Sequence, residues 1–260
     1  MMRRRSSAIA LCALFLVAVF LGRESLRALY ERASDMLAPN ASREFAYGER
    51  HLDATDPNAY DLSLAEYFFR QALAHDPNMP YVYHELARIA FLRGDLDRAL
   101  VLSNIEIAEH GSATPNAYYV RGLIEGYTGR YADAERDYGI YLSHDSYDWA
   151  AMNDDAWILL KEKKYAQAAA ITKQGLSSFP GNPWLLNSEA TALYELGSYR
   201  TALSAIEEAQ RSAATITADE WLHAYPGNAP QIASAGIASL KSAIAQNAQL
   251  IASAASSTVQ

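Results

Sequence analysis

Apolar and polar positions in the central part of the chain recur at helical spacing, in blocks of about 34 residues. The stretch "GRYADAERDYG", residues 129–139, sets the ruler through Ala134; equivalent alanines stand at Ala65, Ala99, Ala168 and Ala202, giving steps of 34, 35, 34 and 34. Twelve residues before the last four stands a small residue, Ala87, Gly122, Ala156 and Ala190. Three residues before each alanine stands a large one: Leu62, Leu96, Tyr131, Tyr165 and Tyr199. Five before stand Gly94, Gly129 and Gly197, with Lys163 in the glycine's place in one block. This pattern predicts helical hairpins. A first helix ends at the glycine, which can take the left-handed capping conformation, and a second begins about two residues later. The small residues mark where the two helices cross, and the large one fills the wedge at the turn. Such a hairpin cannot bury its apolar faces alone and must stack on the next.

Both ends of this array depart from the period. In the first block the small residue is Gly48, seventeen before Ala65 rather than twelve, so "ATDPNAY" predicts a five-residue insertion between its helices. After residue 214, "TADEWLHAYPGNAP" reads as a short helix and a turn. Residues 231 to about 256 read as one long helix, with Ile237, Leu240, Ile244 and Ile251 along one face. Residues 215–256 are expected to cap the open end of the array, or alternatively to form a dimerisation seam or a partner-binding helix, and residues 257–260 to be a disordered tail.

The N-terminus is of another kind. After a basic tail, residues 1–5, residues 6–22 carry no charge and lie between Arg3-Arg4-Arg5 and Arg23. Seventeen helical residues rise about 25 Å, the short end of what spans a bilayer, so this run is expected to be a transmembrane signal-anchor. A cleaved signal peptide would have a shorter apolar run and a small-x-small site; here Gly22, Arg23 and Glu24 follow. Residues 23–40 are expected to form an amphipathic stalk helix and linker, with Leu26, Leu29, Tyr30, Ala33 and Leu37 on its apolar face until Pro39 ends it. The three leading arginines favour a cytoplasmic N-terminus and a body on the periplasmic or cell-surface side, although Arg23, Arg27 and Arg32 at the far end narrow that bias.

Composition narrows the function. The formal net charge is −8, but residues 1–37 hold six Arg and only three acids, which leaves the rest with 16 basic and 27 acidic side chains, a net of −11. A body this acidic argues against nucleic-acid partners. The only cysteine is Cys12, inside the uncharged run, so the body has no disulfide framework and no cysteine metal site. No catalytic motif is found and no enzyme activity, cofactor or metal is expected. The six histidines are scattered, and "HDPN" at His75 reads as the end of a helix rather than a ligand pair. Asp154 and Asp155 are adjacent, and helical neighbours point about 100° apart.

These residues carry a resemblance. The 34-residue period, "AEYFFRQALAHDPN" with Ala65, Phe69, Ala72 and Pro77, and "RGLIEGYTGRYADAERDYGIY" with Gly122, Ala134 and Tyr138 are similar to the tetratricopeptide repeat (TPR) family. Pro180 in "SSFPGNP" holds the same register as Pro77. Departures are Glu106 and Tyr141 at repeat position 27, and Gly111, Ser146 and Ala214 where the family places its final proline. The resemblance covers residues 41–214. It implies an all-α solenoid of about five hairpins, preceded by the transmembrane helix and followed by the capping helix.

The resemblance also implies a concave face lined by repeat positions 2, 5, 9 and 12 or 13 of the first helices. Here these are Tyr81, His84, Arg88 and Phe91; Asn116, Tyr119, Leu123 and Tyr127; Asn153, Trp157 and Leu160; Trp184, Asn187, Thr191 and Tyr194. The face is rich in aromatics and amides, which suits peptide binding. The Lys, Asn and Arg clamp with which some TPR proteins grip a C-terminal carboxylate is missing, apart from Arg88. The expected function is a membrane-anchored scaffold or adaptor that binds protein or peptide partners, in envelope assembly or export. The alternatives are a structural protein that self-associates into a homo-oligomer through the C-terminal helix, and an accessory glycan-binding protein.

Overall fold

The computed structural model describes residues 25–257, and the expected basic tail and transmembrane run lie outside the described residues. Among the described residues the protein is all-α, without strands, and no helix is long and apolar enough to cross a membrane. The chain divides between Met79 and Pro80 into two compact units.

The first unit holds α1 (described over residues 25–37), α2 (Ala41–Leu52) and α3 (Leu62–His75). Gly48 of α2 faces Phe69 of α3 so closely that an added Cβ would stand 2.6 Å from the ring. The sequence pattern requires a small residue at this crossing, and here the Phe69 ring leaves room only for glycine. The nine residues between α2 and α3, where the other hairpins have three, fold back on the helices: Asp61 N–H donates to the His51 carbonyl (2.8 Å), and Ala54 and Ala59 are buried. Asp53, Asp56 and Asp61 each accept local backbone N–H bonds, the last as N-cap of α3.

α1 is helical up to residue 37, ahead of Pro39, but its apolar side is not the side it buries. Leu29, Tyr30, Met36 and Leu37 face solvent, while Glu31 and Asp35 are buried. The reason is polar complementarity rather than apolar burial. Glu31 meets Arg50 (3.2 Å) and His51 (2.7 Å), and Asp35 accepts from the Tyr67 hydroxyl (3.1 Å). Arg43 closes the C-terminus of α1 through the Ser34 carbonyl (3.5 Å) and the Ala38 carbonyl.

The second unit stacks four hairpins: α4 (Val82–Leu92) with α5 (Leu96–His110), α6 (Asn116–Tyr127) with α7 (Tyr131–His144), α8 (Trp149–Lys161) with α9 (Tyr165–Ser178), and α10 (Pro183–Glu195) with α11 (Tyr199–Ala214). Each hairpin turn repeats one hydrogen-bond scheme, in which the first residue of the next helix's approach donates back five residues. The bonds are Asp95 N–H to Ala90 O (2.9 Å), Arg130 to Glu125 (2.8 Å), Lys164 to Leu159 (2.8 Å) and Ser198 to Leu193 (2.9 Å). This is the Schellman motif, whose middle residue must be left-handed. Gly94, Gly129 and Gly197 stand at φ 77°, 79° and 75°, and Lys163 is forced to φ 60° in the same place. The crossing alanines, Ala87, Ala99, Ala134, Ala156, Ala168, Ala190 and Ala202, are completely buried, as is Ala65 in the first unit. Gly122 lies against Tyr138, where a Cβ would come within 3.2 Å of the ring.

Repeat position 27 has a structural reason to differ. Glu106 is fully buried, and its carboxylate accepts the backbone N–H of Tyr81 (2.7 Å) and of His84 (3.2 Å), capping the first turn of α4. Tyr141 donates its hydroxyl to Asp148 (2.7 Å), the N-cap of α8.

Beyond α11 come α12 (Ala218–Ala224), closed by a capping box between Thr217 and Glu220, and α13 (Ala233–Ser257). Ile244 and Ile251 of α13 are buried in a cluster with Leu186, Ile206 and Ala209, so its apolar face lies on α10 and α11. The helix runs through Ser257, past residue 256 where the sequence pattern fades. Ser256 and Ser257 return their hydroxyls to the carbonyls four residues back, both at 2.9 Å.

Candidate functional site

The first helices of the second unit, α4, α6, α8 and α10, bring their equivalent faces together, and the expected lining residues divide into three groups there. One forms an open aromatic row. Phe91 meets Tyr127 edge-on at 5.4 Å; Tyr127 lies 6.1 Å from Trp157; the Lys161 ammonium sits 5.4 Å over the Trp157 ring. Tyr127 is 66% exposed, an unusual position for a large aromatic with two aromatic neighbours. Trp157 and Leu160 continue into a shallow recess bounded by Lys161, Asn187 and Thr191.

A second group serves the hairpins themselves. His84 is buried, and burial, helped by the Arg88 charge, pushes its pKa down to about 3, so the ring is neutral and lies inside rather than along the groove. Tyr81 takes a left-handed φ of 71° at the start of α4 and reaches the Ala113 carbonyl with its hydroxyl (3.2 Å). Tyr119 donates to Asp154 (2.8 Å) and packs on Tyr138 and Tyr141, so its ring ties α6 to α7 and α8. Asn153 accepts from Ser188 (2.8 Å), and Tyr194 packs tilted against Tyr199 beside the α11–α13 core.

A third group is covered by the chain's own C-terminal segment. Trp184 is buried between Trp149 (5.1 Å) and Tyr225 (6.1 Å), and its indole N–H donates to the Tyr225 hydroxyl (2.9 Å). Arg88 pairs with Glu85 (2.7 Å) and reaches the Pro226 carbonyl (3.4 Å). Asn187 and Thr191 receive Asn247 of α13, at 2.9 Å and 3.5 Å. Sequence reasoning missed this occupation because Tyr225, Pro226 and Asn247 lie about 40 to 140 residues from their partners; the only local signal was the turn in "YPGN".

Sequence reasoning named Asp154 only as a neighbour of Asp155 and not as a residue of this face. Burial pushes its pKa up to about 7, against the hydrogen bond from Tyr119, and the same carboxylate, after burial, helps raise Tyr225 to about 12. Asp155 is likewise raised to about 7 by burial, but it faces Glu135, Lys164 and Glu162. The two adjacent acids therefore serve different surroundings and do not form an acid–base pair.

Among the described residues, one set of side chains converges as metal ligands would: Asp35, Glu44 and His75, whose donor atoms lie within 4.8 Å of one another in the first unit. Hydrogen bonding already accounts for much of this closeness. His75 Nδ1 lies 2.9 Å from Glu44 Oε2, and Glu44 Oε1 accepts the Asn40 N–H (2.9 Å).

Neither a protein-family profile nor a curated protein matches the sequence. Solved structures do match the fold. PilW, described as a widely conserved type IV pilus biogenesis factor, aligns at TM-score 0.59 with 17% identity over 81% of this chain and 90% of its own. YrrB, described as a TPR protein with an unusual peptide-binding site, aligns at 0.57 with 14% identity over 71% and 92%. A crystal structure of MamA aligns at 0.55 with 15% identity over 67% and 92%. At these identities the likeness is one of fold: the protein is an all-α helical-repeat solenoid whose fold resembles that of these proteins.

Proposed function

We propose that this protein is a membrane-anchored TPR-type scaffold that binds a protein or peptide partner on the first-helix face of its second unit, through the aromatic row Phe91, Tyr127 and Trp157. The observation that carries the reading is the exposure of Tyr127 between two aromatic neighbours on that face. Exposed aromatics backed by other aromatics make strong anchors, because they bury much area with little loss of side-chain freedom. The fold likeness to YrrB, whose description names a peptide-binding site, supports a peptide-type ligand, and that to PilW supports a place in envelope assembly.

Anchoring rests on the uncharged run at residues 6–22. The solvent-facing Leu29, Tyr30, Met36 and Leu37 of α1 add an apolar surface close after it in sequence, suited to the lipid interface. The leading arginines favour a body outside the cytoplasm. Self-association through α13 has less support, because Ile244 and Ile251 are already buried.

Affinity capture from native membranes tests the reading, with the full-length chain set against a Tyr127→Ala, Trp157→Ala variant. The expected result is a partner protein lost in the variant with helicity unchanged. Equal capture by both, or recovery of only the chain itself, would remove the groove from its function.

A further inference from the structure

Asp154 stands on α8, among the first helices, and its carboxylate has no positive partner. Tyr119 donates its hydroxyl to one carboxylate oxygen (2.8 Å), and Asn153 hydrogen-bonds the same group. The other side chains that share its field are Tyr127 of α6, Tyr138 of α7, Tyr225 and the acid Asp148. All of these are neutral or acidic, and among the described residues no lysine, arginine or histidine pairs with Asp154. Burial holds its pKa up at about 7, so above neutral pH it is ionised and uncompensated. A largely buried charge without a counterion is costly. The bond from Tyr119 does not explain the cost, because it needs only an acceptor, which an asparagine would supply without the charge.

The surroundings suit a cation that arrives from outside. Asp154 is not sealed, since part of its surface stays open to solvent. Two of the four phenols around it, Tyr127 and Tyr225, are exposed. Both rings are held in place. Tyr127 rests on Phe91 and Trp157; Tyr225 lies 4.9 Å from Trp221, and its N–H donates to the Trp221 carbonyl (3.0 Å). Fixed aromatic faces attract cations through the ring quadrupole. The same row already carries one, the Lys161 ammonium over Trp157, and Lys161 is not among the groups that reach Asp154. Arginine fits the remaining space better than lysine. Its planar guanidinium stacks on aromatic rings, sheds water more readily than an ammonium and turns N–H groups toward a carboxylate. The net charge of −11 beyond residue 37 gives a basic segment a complementary field on approach.

We propose that Asp154, with the open rings of Tyr127 and Tyr225, seats an arginine side chain of the bound partner peptide, which supplies the positive charge that the fold leaves out. This rests on the groove reading above and names the residue the partner must present. Tyr225 stays where it is and forms one wall of the seat.

The test uses N-acetyl-arginine amide and its neutral isostere, N-acetyl-citrulline amide. Each is titrated at pH 8 into the full-length chain in a non-ionic detergent and read by saturation-transfer difference NMR with irradiation of the aromatic protons. A hydrogen bond to a charged group is worth about a factor of ten or more in affinity. Arginine is therefore expected to bind at least about tenfold tighter than citrulline, with the strongest transfer to the methylene beside the guanidinium. Asp154→Asn keeps an acceptor for Tyr119, and there arginine should lose its advantage and bind as citrulline does. Asp155→Asn removes an acid that faces Glu135, Lys164 and Glu162 instead, and should leave the preference intact. Tyr127→Ala, at an exposed position, should weaken arginine about threefold. Equal or absent binding of the two amides to the unaltered chain would overturn the proposal. So would a preference for arginine that survives in Asp154→Asn, which would mark attraction to the acidic body as a whole. Should Asp154→Asn lose its helicity, undiminished arginine binding to Tyr127→Ala would overturn it equally. Failure here with partner capture still dependent on Tyr127 and Trp157 would remove the arginine and leave the groove standing. Loss of both would overturn both.

Discussion

Replacing Glu106 by alanine should open the start of α4. The Glu106 carboxylate is fully buried and accepts two backbone N–H groups, Tyr81 at 2.7 Å and His84 at 3.2 Å. Both are orphan donors of a helix N-terminus, with no carbonyl of their own helix to reach. An N-cap is worth about 1 kcal/mol, and a hydrogen bond to a charged group about 1.5–3 kcal/mol. Loss of two such bonds and creation of a small cavity would cost about 5 kcal/mol if nothing relaxed. Two effects reduce this. The desolvation cost of a buried carboxylate disappears, and Tyr81 is released from a left-handed φ of 71°, a conformation costing about 1–2 kcal/mol. The net expectation is about 3 kcal/mol. Glu106→Gln should cost roughly half, because its amide oxygen can accept one N–H while its NH2 group faces the other. A repeat array opens locally, so amide hydrogen exchange across residues 81–92 is the suitable assay. Protection there should fall by about two orders of magnitude, with α10 and α11 little changed. A loss below about 1 kcal/mol in Glu106→Ala would show that the two N–H groups find other partners and that the cap does not hold α4.

Lys163→Gly should stabilise the α8–α9 hairpin by about 1 kcal/mol, because Lys163 holds φ 60° where the three equivalent turns use glycine; a lower midpoint in urea would contradict the strain argument. Ala134→Glu should cost more than about 3 kcal/mol, since Ala134 is completely buried at a helix crossing beside Tyr138 and Ile158, and an unchanged melting curve would refute the repeat register. The docking of α1 should weaken as pH rises. Burial, then Glu44, raises Asp35 to about 6 from 3.8, so its contribution is full below the lower value and lost as pH rises through about 6. His75 is raised above 6.5 by its bond to Glu44 and acts in the same direction, losing its contribution above that value. Glu44 acts oppositely: burial raises it, but hydrogen bonds from Asp35, His75 and Asn40 outweigh that and hold it low, so its contribution is lost only in acid. Amide exchange over residues 25–37, corrected for intrinsic rates, should therefore show more protection at pH 5.5 than at pH 8, and the reverse order would refute this reading.

The repeat was readable because its determinants are local and steric. Alanine or glycine at each crossing and glycine at each turn satisfy constraints within one hairpin, and one mutation's distance of sequence suffices to see them. Lys163 shows the limit of that reading: the turn keeps its geometry even where the residue opposes it, because the bonds from Lys163 to Leu160 and Lys164 to Leu159 are made by the backbone. The face of α1 was not readable. Hydrophobic spacing put Leu29, Tyr30 and Leu37 on one apolar face, whereas burial follows Glu31 and Asp35, whose partners Arg50, His51 and Tyr67 lie 19 to 32 residues away. The first-helix face was half readable. Phe91, Tyr127 and Trp157 form a row where the repeat register puts them. Trp184, Asn187 and Arg88 occupy the register too, but Tyr225, Asn247 and Pro226 return from beyond the array to meet them, and no periodicity foretells that.

On the proposed reading, the chain works by holding another protein on its first-helix face. The most direct measurement replaces Tyr127 by a benzophenone amino acid in the full-length protein, irradiates native membranes, and compares the adducts with those from the same group at Val101, an exposed position on the second helix α5. The expected result is a discrete adduct with a different protein from position 127, absent from position 101 and lost with Trp157→Ala. Adducts from position 101 alone, or the same adducts from both positions, would contradict it.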